Sequence, residues 1–290
     1  MEQTKTTSQD EAQAKYNQPS QGQQQTIQRA PKIWIPLESN PHLYTKYAAK
    51  LGFQTDQYRF YDVFSMDAEV WQNFIPQPVL AVILLYQVNR DGDLLYPNNS
   101  YFTSEKDRVD QPFFVKQTIG NACGTVSLLH ALCNTGLRES SSNFEKDSFL
   151  DKYVSTFRNS TPQERADFLY EDVSVEQNHQ HIAESSEAKL QKPEPLNTSQ
   201  QQQQSQENQD PSEMLYCHYV TFIEKNGNLW QLDGRIPTPL NKGPLSVPGD
   251  LGLSTSAVIQ QYMRGYCGKG EIKNLSIMAL APNIPEELLG

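Results

Sequence analysis

In the stretch KQTIGNACGTVSLLHALCN, residues 116–134, a Gln is followed six residues later by a Cys, then by a Gly and a long apolar run. Its apolar residues from Ala122 to Cys133 recur at helical spacing, which predicts a largely buried helix. Asn121 stands at the N-cap position, so Cys123 is expected in the first turn. There, free backbone N–H groups and the positive end of the helix dipole favour a thiolate. From its position alone, Cys123 is either a nucleophile or a small buried apolar residue.

The segments around this helix indicate a sheet. PVLAVILLYQV (78–88) is nearly all apolar and predicts a central buried strand. CHYVTFIEKNGNLWQLDGR (217–235) predicts a hairpin, because Asn-Gly stands between two strand-like runs. NLSIMALA (274–281) predicts a last strand, and helical patterns follow Asn40 and Thr161. Since no βαβ unit repeats, we predict an α+β fold, a central and mostly antiparallel sheet flanked by helices.

Two polar tracts set the predicted domain boundaries. Residues 1–30 contain nine Gln and few bulky apolar side chains, so we predict a disordered N-terminal arm. A second tract, at about 171–213, includes a run of five Gln at 200–204 and is predicted to be a disordered insert. We predict that the remainder of residues 31–290 forms one catalytic domain, which the insert interrupts.

The charge is concentrated in the second tract. The net charge of the chain is −10, and the tract holds nine acidic residues against two lysines. No basic stripe is present in the sequence, which argues against a nucleic-acid partner.

The four cysteines are expected to be free thiols in a reducing compartment. Neither a signal peptide nor a run long enough to span a membrane is visible, so we expect free thiols and no membrane association. The predicted location is the cytoplasm, with the nucleus as an alternative. No Cys/His cluster has zinc spacing, so no cofactor or metal is expected. Nothing in the sequence suggests more than a monomer.

Elimination among the five histidines gives a candidate base. His179 and His181 lie in the polar tract, where nothing is expected to hold them rigidly. His42 is predicted to be a surface residue of an early helix, and His130 a satisfied core or boundary residue in the middle of its helix. The remaining histidine is His218, in the first strand of the predicted hairpin.

Hairpin geometry brings His218 near a carboxylate. With Asn226-Gly227 as a two-residue turn, Val220 lies opposite Asp233, and His218 is two positions further along the same face. The two residues are then diagonal neighbours, with backbones about 7–8 Å apart. A carboxylate there would fix the imidazole tautomer and support its charged form. The alternative is an exposed ion pair without a catalytic role.

Gln117 is a candidate for the fourth part of the site. It is expected at the end of a strand just ahead of the Cys123 helix, so its amide and the Cys123 N–H could point at one oxygen. Two such donors stabilise the oxyanion that develops in acyl transfer.

These motifs together resemble a known family. QTIGNACGTVSLLHAL, WIPLESNP, NSTPQERADFL, HYVTFI with GNLWQLDGR, and LSIMALAP are similar to segments of the ubiquitin carboxyl-terminal hydrolases, small papain-like cysteine peptidases. The resemblance spans 31–170 and 214–282. It implies that Cys123 is the nucleophile, His218 the general base, Asp233 the residue that orients it and Gln117 the oxyanion-hole donor.

The resemblance also implies a fold and a reaction. It implies a papain-like core with a knotted backbone, and a crossover segment, here the polar insert, that arches over the active site. The implied reaction is hydrolysis of ester, thioester or amide adducts after the C-terminal Gly of ubiquitin, through a thioester acyl-enzyme.

Three alternatives remain at this point. The same chemistry could act on a ubiquitin-like modifier, since the catalytic residues do not distinguish the two. The chain could also be a non-catalytic ubiquitin-binding module, or a scaffold that acts through its Gln-rich tracts. The complete set of Gln117, Cys123, His218 and Asp233 argues against both of these, because neither needs an oxyanion donor.

Overall fold

The computed structural model describes residues 30–88, 111–135, 143–185, 216–264 and 275–284. Within these ranges the helices are α1 (Pro41–Lys50), α2 (Ala68–Asn73), α3 (Cys123–Thr135), α4 (Phe149–Phe157), α5 (Pro162–Glu171), α6 (Val173–Glu184) and α7 (Leu251–Met263). The strands are β1 (Tyr58–Asp62), β2 (Ala81–Val88), β3 (Tyr216–Lys225), β4 (Asn228–Leu232), β5 (Leu240–Pro244) and β6 (Leu275–Pro282).

The strands form one antiparallel sheet with the order β1-β6-β2-β3-β4-β5. Each neighbouring pair in this order runs antiparallel. Helices pack on both faces of the sheet. The predicted α+β fold, an antiparallel sheet flanked by helices, is therefore confirmed.

Strand β2 is the buried centre of this sheet. Ala81 and Ile83 pack into the hydrophobic core on one face, and Val82 and Leu84 pack into the core on the other. Because successive side chains of a strand alternate between faces, a strand covered on both sides must be apolar throughout. This explains why residues 78–88 are nearly all apolar and confirms the prediction of a central strand.

The two faces of the sheet carry separate cores. The α3-side core contains residues of α1, α3, α4, α5 and α6, with Tyr44 and Phe114 among its largest fully buried side chains. The α7-side core contains residues of α2 and α7, with Trp71 and Phe222 among its largest. A hydroxyl fixes α3 against β3, since Thr221 Oγ1 donates to the carbonyl of Ser127 at 2.8 Å.

Side-chain caps start the helices that the sequence predicted early in the chain and after Thr161. Asn40 accepts hydrogen bonds from the backbone N–H groups of His42 and Leu43 at the start of α1. Thr161 and Glu164 form a reciprocal capping box at the start of α5. In both helices the caps satisfy backbone donors that have no partner within the helix.

The hairpin of β3 and β4 has the predicted turn and register. Asn226 and Gly227 have φ values of 54° and 76°, the left-handed conformation that a two-residue hairpin turn needs. Thr221 pairs with Leu232 in the resulting ladder. This is the pairing on which the expected proximity of His218 and Asp233 rests.

The prediction that a disordered insert begins at about residue 171 is wrong, because Val173–Glu184 is the helix α6. Asp172 caps it by accepting from the N–H of Val175. Val175, His179 and Ile182 are buried at spacings of four and three residues, which form one helical face. Disorder was predicted because these few buried residues stand among many polar ones.

Other predictions lie outside the described residues. These include the N-terminal arm up to residue 29 and the part of the insert at 186–215. The domain boundaries and the knotted backbone therefore stay predictions. None of the described helices is long and apolar enough to cross a membrane.

Candidate active site

Cys123 is the first residue of α3, as the sequence predicted, and its side chain is half-buried. The expected N-cap role of Asn121 is wrong. Its backbone is left-handed, with φ 58°, whereas an N-cap residue has an extended backbone. Its side-chain Nδ2 instead donates to the carbonyl of Trp34 at 3.2 Å. Asn tolerates this conformation better than most residues, so Asn121 turns the chain sharply into the helix.

His218 and Asp233 form a buried pair. His218 Nε2 lies 2.7 Å from Asp233 Oδ1, and the two side chains are 2% and 0% exposed. His218 lies near the start of β3, and Asp233 directly follows the end of β4. The alternative of an exposed ion pair is therefore excluded. A buried carboxylate needs such partners, because its charge is costly in a low-dielectric interior.

Cys123 acts on the same imidazole. Burial by itself lowers the pKa of His218, but hydrogen bonds to Asp233 and Cys123 and their charges outweigh it, so that this pKa is raised. Because Nε2 faces Asp233, Nδ1 is the ring nitrogen left for Cys123. The site thus joins a thiol, an imidazole and a carboxylate in series.

The loop after β4 holds two of the predicted site residues. Asp233 Oδ1 also accepts from the N–H of Arg235 at 2.8 Å, and the carbonyl of Gly234 accepts from the N–H of Gln117 at 2.8 Å. A Cβ at Gly234 would lie 2.8 Å from Val126 and 3.0 Å from Gln117. Only glycine allows the chain to approach α3 this closely.

The segment 111–118 leads into the site beside α3 but is not a strand. Side chains of α3 take the place of a neighbouring strand. Asn134 Oδ1 accepts from the N–H of Phe113 at 2.8 Å, and His130 Nε2 lies 3.0 Å from the N–H of Val115. The backbone polar groups of this extended segment are therefore satisfied without a sheet.

Gln117 consequently does not end a strand, which corrects the prediction. Its side-chain Nε2 donates to the carbonyl of Ile119 at 3.2 Å, and its Oε1 is buried without a hydrogen-bond partner. A primary amide has two N–H donors, so this bond fixes the side chain and leaves one N–H uncommitted. Gln117 and Asp233 are attached to the same turn of backbone through Gly234.

Two other histidines are where the sequence placed them. His42 is exposed on α1. His130 is buried, stacks on Phe114 with ring centroids 4.9 Å apart, and faces the backbone of Val115. Burial lowers the pKa of His130 to about 3, so it is a neutral core residue. His181 is exposed on α6.

His179 departs from its prediction, because it is held rigidly. Its Nδ1 lies 2.7 Å from Thr125 Oγ1 in α3, and its Nε2 lies 2.7 Å from the carbonyl of Ile35. Its ring packs on Trp34 with centroids 4.4 Å apart, and burial lowers its pKa to about 4. It thereby connects α6 to the helix that carries Cys123. The helical spacing of Val175, His179 and Ile182 was the signal that could have revealed it.

Of the other cysteines, the structure describes Cys133 and Cys217. Cys133 is fully buried in α3, and burial raises its pKa strongly. Cys217 is exposed, and its pKa is raised by partial burial and then by Cys123. Both are free thiols, as is Cys123, and Cys267 lies outside the described residues. The described part of the chain contains no group of three or more His, Cys, Asp or Glu side chains that could hold a metal ion.

Sequence reasoning missed one neighbour of His218. Tyr86 lies directly opposite His218 in the β2–β3 ladder, with its ring edge-to-face at 6.0 Å and an interplanar angle of 83°. The available signal was a tyrosine within the otherwise aliphatic core of β2.

The chain is similar to known proteins. A family model described as "Ubiquitin carboxyl-terminal hydrolase, family 1" matches residues 34–264. Ubiquitin carboxyl-terminal hydrolase 3 of Arabidopsis thaliana is 34% identical over 230 residues, 79% of this chain and 87% of that protein. The ubiquitin carboxyl-terminal hydrolase of Aplysia californica is 31% identical over 231 residues, 79% of this chain and 94% of that protein.

A solved structure has the same fold. The crystal structure of the Trichinella spiralis UCH37 catalytic domain bound to ubiquitin vinyl methyl ester matches with a TM-score of 0.64. The match covers 88% of this chain and 98% of that chain, at 17% sequence identity. At this identity the likeness concerns the fold.

Proposed function

The chain belongs to family 1 of the ubiquitin carboxyl-terminal hydrolases and is a deubiquitinating cysteine hydrolase, and we propose that Cys123 is its nucleophile and His218 its general base. The observation that carries this assignment is the buried 2.7 Å contact of His218 with Asp233, beside a cysteine at the start of a helix. Ubiquitin as the substrate is supported by the neighbouring fold, which was solved with ubiquitin vinyl methyl ester bound.

In the first step, His218 takes the proton of the Cys123 thiol. Asp233 holds the imidazole in one orientation and stabilises the imidazolium that forms. The raised pKa of His218, after the opposing effect of burial, favours this transfer. The free N–H groups at the start of α3 stabilise the thiolate that remains.

In the second step, Sγ of Cys123 attacks the carbonyl carbon of the C-terminal Gly of ubiquitin. The carbonyl oxygen becomes an oxyanion, and the backbone N–H of Cys123 and the uncommitted amide N–H of Gln117 donate to it. Each such donor contributes about 2.7–4 kcal/mol of transition-state stabilisation. The bond of Gln117 to Ile119 fixes the amide before the substrate arrives.

In the third step, the bond between the carbonyl carbon and the leaving group breaks. The imidazolium of His218 gives its proton to the leaving group, and the ubiquitin acyl group stays on the Cys123 sulfur as a thioester. A water molecule then gives a proton to His218 and attacks the thioester carbon, which releases ubiquitin with a free carboxylate and returns the proton to the thiolate.

The test is covalent labelling with ubiquitin that carries an electrophile at its C-terminus. We expect one adduct on the wild-type protein by intact mass spectrometry and none on Cys123→Ala. Cys217→Ala is the matched control, because Cys217 is an exposed thiol that has no base of its own in the proposed mechanism. We expect it to be labelled like the wild type.

Two results would contradict the assignment. An adduct that persists on Cys123→Ala would place the nucleophile elsewhere, and no adduct on the wild type would deny a competent site for ubiquitin. Probes built on ubiquitin-like modifiers test the alternative modifier in the same assay. We expect ubiquitin to label the protein faster than these probes.

A further inference from the structure

Tyr86 occupies a position where its ring and its hydroxyl have separate surroundings. The ring lies opposite His218 in the β2–β3 ladder and packs edge-to-face on the imidazole at 6.0 Å. The side chain is 1% exposed and belongs to the α7-side core. A phenylalanine would make the same ring contact, so the hydroxyl needs its own explanation.

The hydroxyl of Tyr86 is buried and has no hydrogen-bond partner. Other buried tyrosines differ: Tyr153 donates to the carbonyl of Arg165 at 3.0 Å, and Tyr262 donates to Gln231 Oε1 at 2.6 Å. A buried hydroxyl without a partner costs free energy relative to the same ring without it. Each such group in a native protein has a specific cause, such as a catalytic role, local strain or an ordered water.

The charges around this hydroxyl belong to the active site. Burial raises the pKa of Tyr86 well above its usual value, and the Asp233 carboxylate raises it further, while Arg235 opposes this. Tyr262 and Cys123 also act on Tyr86, and His218 itself faces Asp233 and Cys123. The hydroxyl therefore keeps its proton, and the Asp233 carboxylate acts on it.

We propose that the hydroxyl of Tyr86 is a positioning group for the His218–Asp233 pair, which stabilises the Asp233 carboxylate while His218 is neutral. This inference rests on the proposed function. When the bond to the leaving amine breaks, the His218 imidazolium gives its proton to that nitrogen, and the acyl carbon stays bonded to the Cys123 sulfur. The buried carboxylate then faces a neutral ring, and the O–H dipole of Tyr86 replaces part of the lost attraction.

Loss of this hydroxyl should make His218 hold its proton more tightly. Asp233 is charged in both states of His218, but the positive end of an O–H dipole that points at Asp233 repels only the imidazolium, so removal of the hydroxyl favours the charged imidazolium. The alkaline limb of the pH profile of kcat/KM, which reports the loss of the imidazolium proton, would then move to higher pH. Proton transfer to the leaving group would become slower.

The leaving group separates this role from simple packing. An amine leaves only after it receives a proton, whereas a thiolate leaves without one. A weaker proton donor should therefore slow the cleavage of a ubiquitin amide and leave the cleavage of a ubiquitin thioester nearly unchanged. A general loss of alignment would slow both, because both need the same attack by Cys123.

The experiment compares wild type with Tyr86→Phe on two substrates, ubiquitin joined by an amide to a lysine side chain of a peptide and ubiquitin thioester of a small thiol. We expect kcat/KM for the amide to fall about 3- to 10-fold, a small part of the 10²–10⁴-fold that positioned proton transfer contributes. We expect the thioester to change less than twofold and the alkaline limb for the amide to move to higher pH. Tyr86→Phe should be as stable as the wild type or more so.

The matched control is Tyr262→Phe, which removes a bonded hydroxyl from the same core. It should lower stability without changing the ratio of amide to thioester cleavage. Equal losses on both substrates, or an alkaline limb that does not move upward in Tyr86→Phe, would overturn the inference. A wild-type protein inactive on both substrates would instead overturn the proposed function, so the two failures are distinguishable.

Discussion

Asp233 holds His218, and its replacement by Asn removes the charge without changing the size of the side chain. Asp233 lies 2.7 Å from Nε2 and is fully buried, so it determines which ring nitrogen carries the proton. In Asp233→Asn the amide can present an N–H to Nε2 and stabilise the wrong tautomer. We expect kcat/KM for a ubiquitin amide to fall by roughly 10³–10⁴-fold, with little change in ubiquitin affinity, as for the equivalent change in a catalytic triad.

Asp250→Asn serves as the control for this substitution. Asp250 caps α7 by accepting from the N–H of Leu253, and Asn is an equally good cap. Its activity and stability should match those of the wild type. A loss smaller than tenfold in Asp233→Asn, measured by steady-state hydrolysis, would mean that His218 is oriented by other contacts.

The sequence was informative about single residues where local geometry fixes their neighbours. His218 and Asp233 could be paired in advance because a two-residue turn determines every register position of the hairpin. Asn121 could not be interpreted correctly, because its side chain bonds to Trp34, 87 residues away. The backbone partner of Gln117, Gly234, lies on a distant loop, so the sequence could not reveal this contact.

At the scale of elements, α6 tests whether the domain extends beyond residue 171. Ile182 is 1% exposed in the α3-side core, whereas Val173 on the same helix is 61% exposed. Ile182→Ala should lower the free energy of unfolding by about 2–5 kcal/mol, because it leaves a cavity. Val173→Ala should change it by less than about 0.5 kcal/mol.

Urea unfolding followed by circular dichroism measures both variants. Equal stability of Ile182→Ala and Val173→Ala would mean that α6 is not packed on the domain. The helix α6 also contacts α3 through the bond between His179 and Thr125, so loss of the packing of α6 should also reduce hydrolysis.

The elements predicted well and poorly differ in one physical respect. β2 and α5 have their signals within the element, as an apolar run in the first and a capping box in the second. The amphipathic pattern of α6 is carried by few residues, and its stability comes from contacts with distant segments such as Trp34. Tertiary packing of this kind is not visible in local composition.

For the whole molecule, two buried neutral histidines make stability depend on pH. Burial lowers the pKa of His130 to about 3 and of His179 to about 4, whereas both titrate near 6.5 when unfolded. The unfolded chain therefore binds more protons than the folded one between pH 6.5 and about 4. Each histidine should lower the free energy of unfolding by about 1.4 kcal/mol per unit of pH in this window, as the pH falls.

His218 has the opposite sign. Its folded pKa is raised, so the stability it contributes is complete below pH 6.5 and is lost as pH rises through the folded value. Urea titrations at pH 7, 6 and 5 measure the slope. We expect a smaller slope in His179→Gln than in the wild type. A wild-type stability that is flat from pH 6.5 to 5 would contradict buried neutral imidazoles.

The sheet separates the anchors of the two reacting groups. Cys123 begins a helix of the α3-side core, whereas His218 lies opposite Tyr86, whose side chain belongs to the α7-side core. The sulfur of Cys123 and the imidazole of His218 come together only if the α3-side core and the α7-side core are both packed correctly on the sheet between them. The catalytic rate therefore depends strongly on how well both cores pack against the sheet. A small displacement of either core would abolish hydrolysis while the helices and strands remain intact.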